Sequence, residues 1–536
     1  MTYQVGPSRA LRELTAVANM LNPGDVVEVD PGTYAAVRFS RAGSTAMPIT
    51  IRGLVGPGGA RPVVQNGVNT IELAGNNYVV ENLDIRGGSS RCVFHHADNI
   101  VIRNTIVHDC PRQGILGADQ DSGDLTLEFV EVHHCGGGTQ DHQIYMATDE
   151  VAYPGSVFRM QHCYVHDANG GNAVKSRAER NEIYYNWIEG ALYHELELIG
   201  PDPGGAPAGW TEATAREDSD VVGNVLRATG TFSIVRVGGD GTGQSRGRYR
   251  FVNNTFVSNM GGGAVMRVFD AIESIEMHNN VFFATGGTVN VSRQVEAMWV
   301  GGEVFEGANN WVMSGSTNVP AGFRGTITGA SPVFANVAGN DLRPVMGSPL
   351  IDRGVGATTS PTGHAFARPL ALPLFEPPQR GLALPGVAIA RAMSGMIDIG
   401  ARESVAASVP DAGAMPDASM PADSGVAPLP DVVVQPDVAV PTDTGVLVDA
   451  AAGMDVAVAV DASGSDSATT IDSSTPGRDG SSSGDSGASA DGGSTPGAMT
   501  GCGCTTPARS KSDRTMAVLA LAVAMTALVS RKRPSR

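Results

Sequence analysis

"VVENLDI" at residues 79–85 is followed by "VIRNTIV" (101–107), "TLEFVEV" (126–132), "RMQHCYV" (159–165), "IYYNWIE" (183–189), "DVVGNVL" (220–226), "RFVNNTF" (250–256) and "EMHNNVF" (276–282). Each alternates apolar and polar positions as a half-buried strand does, and each carries Asn or a stand-in at one place. With Asn82, Asn104, Phe129, His162, Asn186, Asn224, Asn254 and Asn280 as the shared column, the steps are 22, 25, 33, 24, 38, 30 and 26 residues. A unit of about 22–25 residues that cannot bury its apolar face alone is the coil of a parallel β-helix, each turn stacking on the next at ~4.8 Å. Asn suits the corner because it tolerates a left-handed backbone, and stacked amides can hydrogen-bond along the axis.

A second strand follows each corner: "GILG" (114–117), "QIYM" (143–146), "AVKS" (173–176), "ELEL" (195–198), "SIVRV" (233–237) and "AVMRV" (264–268). Strand side chains alternate, so Ile144, Val174, Leu196, Val235 and Met266 are expected inside, and Tyr145, Lys175, Glu197, Arg236 and Arg267 form one outward column. Arg177 and Glu195 stand beside it, two residues along their own strands. The coils flanking Lys175 carry the insertions "GGGTQDHQIYMATDEVAYPG" and "GPDPGGAPAGWTEATARED", and loops of that length on a compact coil commonly build the walls of a groove.

The β-helix is expected over 24–403, preceded by a cap in 1–23 whose "SRALRELTAVANML" (8–21) reads as an amphipathic helix opened by Ser8. From 404 to 500 the composition turns to Ala, Ser, Gly, Pro and Asp without an aromatic residue, too little apolar surface to offset the entropy of ordering. Asp recurs there at a spacing of six between prolines, as in an extended, self-repelling stalk. Fourteen acids against Arg478 place most of the net charge of −18 in this stalk, and a chain so negative is not expected to bind nucleic acid. The end, 501–536, holds "GCGC" (501–504), the apolar "TMAVLALAVAMTALVS" (515–530) and the basic "RKRPSR". An apolar run followed by cations reads as a short membrane helix, ~24 Å long.

"GDVVEVDPGTY" (24–34), the Asn-marked coils, "GSPLIDRG" (347–354) and "IDIGARE" (397–403) resemble right-handed parallel β-helix proteins of the pectin-lyase-like kind. That resemblance implies an all-β solenoid, a monomer, and a polysaccharide as partner, but no single activity. The tail resembles the C-terminal sorting signals of myxobacterial surface proteins, which implies export, cleavage by a dedicated sorting protease, and display at the cell surface or outer membrane. "MTYQVGPSRALREL" carries no apolar export segment, which points to a start placed downstream of the true one.

Chemistry is expected around Lys175. Nine of the eleven histidines lie between 95 and 194, and "VHDC", "VHHC" and "VHDA" put His108, His133 and His166 in one register, most simply as a stack. His142 and His194 differ, each lying just before its outward strand. Cys110 and Cys135 also share a register, though adjacent parallel strands rarely offer disulfide geometry. "AVKSRAERNEIYYN" (173–186) resembles a strand of the chondroitinase B and alginate lyase family. This implies β-elimination with Lys175 as base, Arg177, Tyr145 or His194 as proton donor, and Ca²⁺ on Glu195, Glu197 and Asn172. The acidic pair follows Lys175 here, whereas it precedes the lysine in that family. His142, Arg236, Arg267, Trp187, Tyr193 and Trp210 would then bind the sugar chain. Other readings stay open: Glu195 and Glu197 as a hydrolase pair, ~7 Å apart, a plain ion ladder on a solvated face, or a glycan-binding surface module without catalysis.

Overall fold

The computed structural model describes residues 1–200, 208–209, 217–239, 245–259, 261–269, 271–295, 299–366 and 372–404. Among them the chain winds as a parallel β-helix of three sheets: sheet A with 13 strands, sheet B with 12 and sheet C with 10. One coil runs through Tyr78–Glu81 in sheet A, Asp84–Arg86 in sheet B and Arg91–His95 in sheet C. The next coil repeats the path through Ile100–Arg103, Ile106–His108 and Ile115–Gly117, each strand pairing in parallel with its predecessor. Val80, Ile85 and Val93, and their counterparts Ile102, Val107 and Ile115, fill the continuous core. Alternation thus sorts the side chains as expected. The stalk from residue 405 onward, "GCGC" and the 515–530 segment lie outside the described residues, among which no helix is long and apolar enough to cross a membrane.

The expected helix over 8–21 does not form. Strand Thr2–Val5 pairs with Val26–Val29, so sheet A begins before residue 24 and the intervening segment is the wall of a coil. Only Leu14–Ala16 makes a 3₁₀ turn, and Leu14, Val17, Ala18 and Leu21 enter the core. Helical spacing identified the buried residues correctly; the pairing on either side denied them a helix, tertiary contact overriding local propensity.

The Asn column is two columns. The left-handed corner is Asn82, Asn104, Phe129 and His162, then Tyr185, Gly223, Asn253, Asn279 and Asn309. Asn186, Asn224, Asn254, Asn280 and Asn310 occupy the next, inward position. There the backbone N–H of Asn186 donates to Asn224 Oδ1 (2.8 Å), Asn224 to Asn254 (2.9 Å), Asn254 to Asn280 (2.9 Å) and Asn280 to Asn310 (2.9 Å). These amides are fully buried, and their side-chain donors are met by carbonyls such as Ile183 O at 2.8 Å from Asn224 Nδ2.

Parallel pairing in the three sheets ends at Gly322–Arg324 and Ile327–Gly329 rather than near residue 400, and beyond it the described residues form two short antiparallel pairs, Phe334–Asn336 with Asp341–Pro344 and Phe375–Glu376 with Ile389–Ala390. The described residues between 334 and 403 fold back as a cover. Tyr164, Trp187, Val225, Val281 and Trp311 point outward from sheet B and are buried under Leu342, Leu350, Ile399 and Ala401. The corner side chains hold this cover in place. Asn309 Nδ2 donates to Arg353 O (2.8 Å), Asn279 Nδ2 to Val355 O (3.0 Å) and Asn253 Nδ2 to Asp398 O (2.7 Å), while Asn104 Oδ1 accepts from Gly386 N–H (2.8 Å). "GSPLIDRG" and "IDIGARE" belong to the cover, not to coils. The disulfide joins Cys92 and Cys110, with Cα atoms 5.6 Å apart, leaving Cys135 and Cys163 as buried thiols.

Candidate functional site

The outward column of sheet C is in register as expected: Tyr145, Lys175, Glu197, Arg236 and Arg267 face one another on successive coils, and Arg293 extends the row. Arg293 was missed in the sequence because its strand, Ser292–Gln294, ends the sheet without a core-facing apolar pattern. On the inner side Ile144, Val174, Leu196, Val235 and Met266 are fully buried. Toward the N-terminus the row continues through Leu116, Phe94, Glu72 and Arg38.

Glu197 is the hub. Its carboxylate accepts from Asn172 Nδ2 (2.5 Å) and Arg236 (2.7 Å), and stands 3.8 Å from Lys175 Nζ. Its side chain is 4 % exposed, against 15 % for Lys175, so the solvated ladder expected here is a largely buried one. Burial alone would push the carboxyl up, yet the charges of Lys175 and Arg236 hold it at about 2. Lys175 lies over the Tyr145 ring at 4.9 Å, and Arg177 Nε donates to the Tyr145 hydroxyl (3.0 Å) while its other arm donates to Gly200 O (2.7 Å). Arg177 is therefore a buried support of Tyr145. Arg236 rests on the Phe269 ring at 4.0 Å, and Arg267 on Phe269 and Phe232 at 5.0 and 5.4 Å. Burial, then the like charges of Arg236 and Arg293, push the Arg267 guanidinium down.

His142 and His194 flank this hub as neutral rings. Burial, then Lys175, lowers His142 to about 3, and its Nδ1 accepts the Asn172 N–H (2.9 Å), which leaves Nε2 to carry the proton. Burial likewise lowers His194 to about 4; its backbone N–H donates to Asn172 Oδ1 (3.0 Å), and its ring packs edge-on against Phe232 at 4.9 Å. Asn172 thus ties Glu197, His142 and His194 together. Tyr193 sits at the margin, edge-on to Phe232 at 5.1 Å.

Other expected site residues fall elsewhere. Trp187 is buried beneath the cover on sheet B, because its outward position there meets Leu342 and Leu350 rather than solvent. Trp210 lies outside the described residues. Glu195 does not pair with Glu197: it precedes strand Leu196–Ile199, accepts the Ala191 N–H (3.1 Å) and neighbours Glu189 and Arg227, and burial drives its carboxyl well above the usual range. Glu195, Glu197 and Asn172 consequently make no cage for Ca²⁺, an ion that takes six or more oxygens. Arg236 and Lys175 occupy the directions from which a cation would approach Glu197. No group of three or more His, Cys, Asp or Glu among the described residues is placed to hold a metal. Glu217, not singled out in the sequence, lies near Arg177; burial raises it to about 8, and Tyr249 donates to it at 2.8 Å. His108, His133 and His166 stack at 4.8 and 5.0 Å on sheet B as expected, each outer ring held between two carboxylates.

No family model matches the chain, and no curated protein matches it in sequence. Among solved structures it is similar to the pectate lyase Pel9A, at 12 % identity over 75 % of this chain and 96 % of that one, with a TM-score of 0.41. It is also similar to the PL6 family alginate lyase AlyGC (12 %, 61 % of this chain, TM-score 0.38), of which it spans 51 %. A third is the PL6 family polysaccharide lyase Pedsa3628 from Pseudopedobacter saltans (10 %, 62 % and 94 %, TM-score 0.38). The β-helix assignment rests on the sheets described above.

Proposed function

We propose that the sheet C face holds an anionic, uronate-bearing polysaccharide, and that Lys175 serves there as the base of a β-elimination. The observation that carries this is the crowding of Arg236, Arg267 and Arg293 on successive coils in one register. Like charges directly opposite one another cost stability, and a polymer with a carboxylate on every sugar would relieve the repulsion along the same axis. In the reaction, Lys175 takes the proton from the carbon bearing the carboxylate. The bond to the leaving oxygen breaks, a carbon–carbon double bond forms, and the Tyr145 hydroxyl, steadied by Arg177, gives that oxygen a proton. The Ca²⁺ expected from the sequence has no fitting ligand set here, so Arg236 and Arg267 meet the substrate carboxylate directly.

One contact favours a second reading, recognition without cleavage: the Glu197 carboxylate 3.8 Å from Lys175 stabilises the ammonium form. Incubating the full chain with uronate polymers and following the ultraviolet absorbance of the new double bond separates the two. Elimination predicts a signal that persists with chelator and disappears in Lys175→Ala. Binding without any such signal leaves the recognition module. The disulfide suits an oxidising compartment, and the spacer, "GCGC" and basic-ended apolar segment support export and surface attachment through a sorting protease and the membrane.

A further inference from the structure

The outward column of sheet C is asymmetric about Lys175. On the N-terminal side it reads Tyr145, Leu116, Phe94, then Glu72 and Arg38, whose charges cancel in an ion pair at 3.0 Å. On the other side it reads Glu197, Arg236, Arg267 and Arg293, one acid against three bases. Beyond Arg293 lies a cleft of about 430 Å³ lined by Arg293, Gln294, Glu303, Phe305 and Asn318. Glu303 is held in it by Gln294 Nε2 at 2.7 Å. A carboxylate carried past Arg293 would therefore meet a carboxylate.

Resting on the reading of this face as a uronate site, we propose that the face is one-sided and bounded, taking an acidic run from Lys175 to Arg293 and uncharged sugars elsewhere. The span is four coil steps, about 19 Å, or roughly one sugar per coil for a run of four to five acidic residues. Tyr145, Leu116 and Phe94 put two aromatic rings and a leucine in the row, with Lys175 over the first ring at 4.9 Å and Arg91 over the last at 5.0 Å, so this stretch offers apolar contact to an uncharged sugar, and beyond Arg293 the end cleft adds the Gln294 and Asn318 amides. The preferred ligand class is a block polysaccharide with short acidic runs, in preference to a uniformly acidic chain.

Calorimetric titration of the full chain with oligouronates from dimer to octamer tests this. Affinity is expected to rise by about fivefold per added residue up to four or five and to stay level beyond. Arg293→Gln should move the plateau one residue shorter and weaken the octamer about fivefold, while Glu303→Gln should move it one residue longer; circular dichroism checks that both variants keep the sheet. A wild-type affinity that keeps climbing to the octamer, or a plateau unmoved by both substitutions, overturns the bounded site while leaving the uronate face intact. No binding by any oligouronate to the wild-type chain overturns the reading of the face itself.

Discussion

Sheets A and C each carry a ladder of charged side chains up their outer faces, built by the same coil spacing and opposite in composition. On sheet A, Glu81 lies between Arg52 (2.5 Å) and Arg103 (2.6 Å), and Asp220 between Arg180 (2.6 Å) and Arg250 (2.5 Å). The cover reinforces part of it, with Phe366 over Arg250 at 4.0 Å and Ser360 donating to Glu276 at 2.9 Å. On sheet C a single acid, Glu197, stands among Lys175, Arg236, Arg267 and Arg293. Acids and bases paired in this way neutralise each other and need no ligand, even where two carboxylates such as Glu182 and Asp220 are neighbours in register. An excess of one sign stores repulsion that an outside counter-charge can relieve, so the same geometry serves cohesion on one face and recognition on the other.

The sharpest way to break this contrast is to cut the balanced ladder. Asp220→Ala removes the carboxylate that Arg250, 1 % exposed, holds at 2.5 Å. Chemical denaturation should register a loss of about 3–5 kcal/mol, with uronate binding by the folded protein unchanged. On the other face, Lys175→Ala should lower any elimination rate by about 100-fold, the usual consequence of losing a general base, and should also lower the unfolding midpoint, since it removes one of the cations that hold the buried Glu197 charge. Arg267→Gln should weaken uronate binding about tenfold while leaving stability unchanged or raising it slightly, since it removes a like charge. A drop in stability there comparable to that of Asp220→Ala would erase the distinction between the ladders. Glu195→Gln should change neither binding nor elimination, because that carboxyl is buried away from the column.

The buried titratable groups sharpen the comparison through pH. His142 at about 3 and His194 at about 4 lie below the ordinary histidine value, so the unfolded chain binds more protons in acid. Their contribution is complete above pH ~6.5 and declines as pH falls toward 4. Glu217, raised to about 8, has the opposite sign: its contribution is complete below about 4.5 and is lost as pH rises through 8. The melting temperature should therefore fall at both ends, and Glu217→Gln should recover part of the alkaline side while leaving the acid side as it is, the remainder belonging to other raised carboxyls such as Glu195. A wild-type alkaline limb retained in that variant would assign the loss to another group.

The repeat, the parallel β-helix and the outward row from Tyr145 to Arg267 were legible in the sequence because strand alternation is local. Once a strand is placed, period two decides which side chains go in and which go out. Local reading also limited the result. One residue of register separated the corner from the amide ladder, and Asn appears in both, so composition alone merged Asn82 with Asn186. Glu195 was counted with Glu197 although the turn before its strand had already redirected it. What lies outside an outward residue is supplied by distant chain, and only the tertiary structure decides it. Trp187, an apparent sugar platform, is buried beneath Leu342 and Leu350, more than 150 residues later. Glu197, expected on a solvated face, is buried and closed in by Asn172 and Arg236, from the preceding and following coils. The sequence by itself determined which side chains leave the core of this β-helix. The fold decided which of them are covered, which are neutralised, and which row, from Lys175 to Arg293, is left with charge in excess.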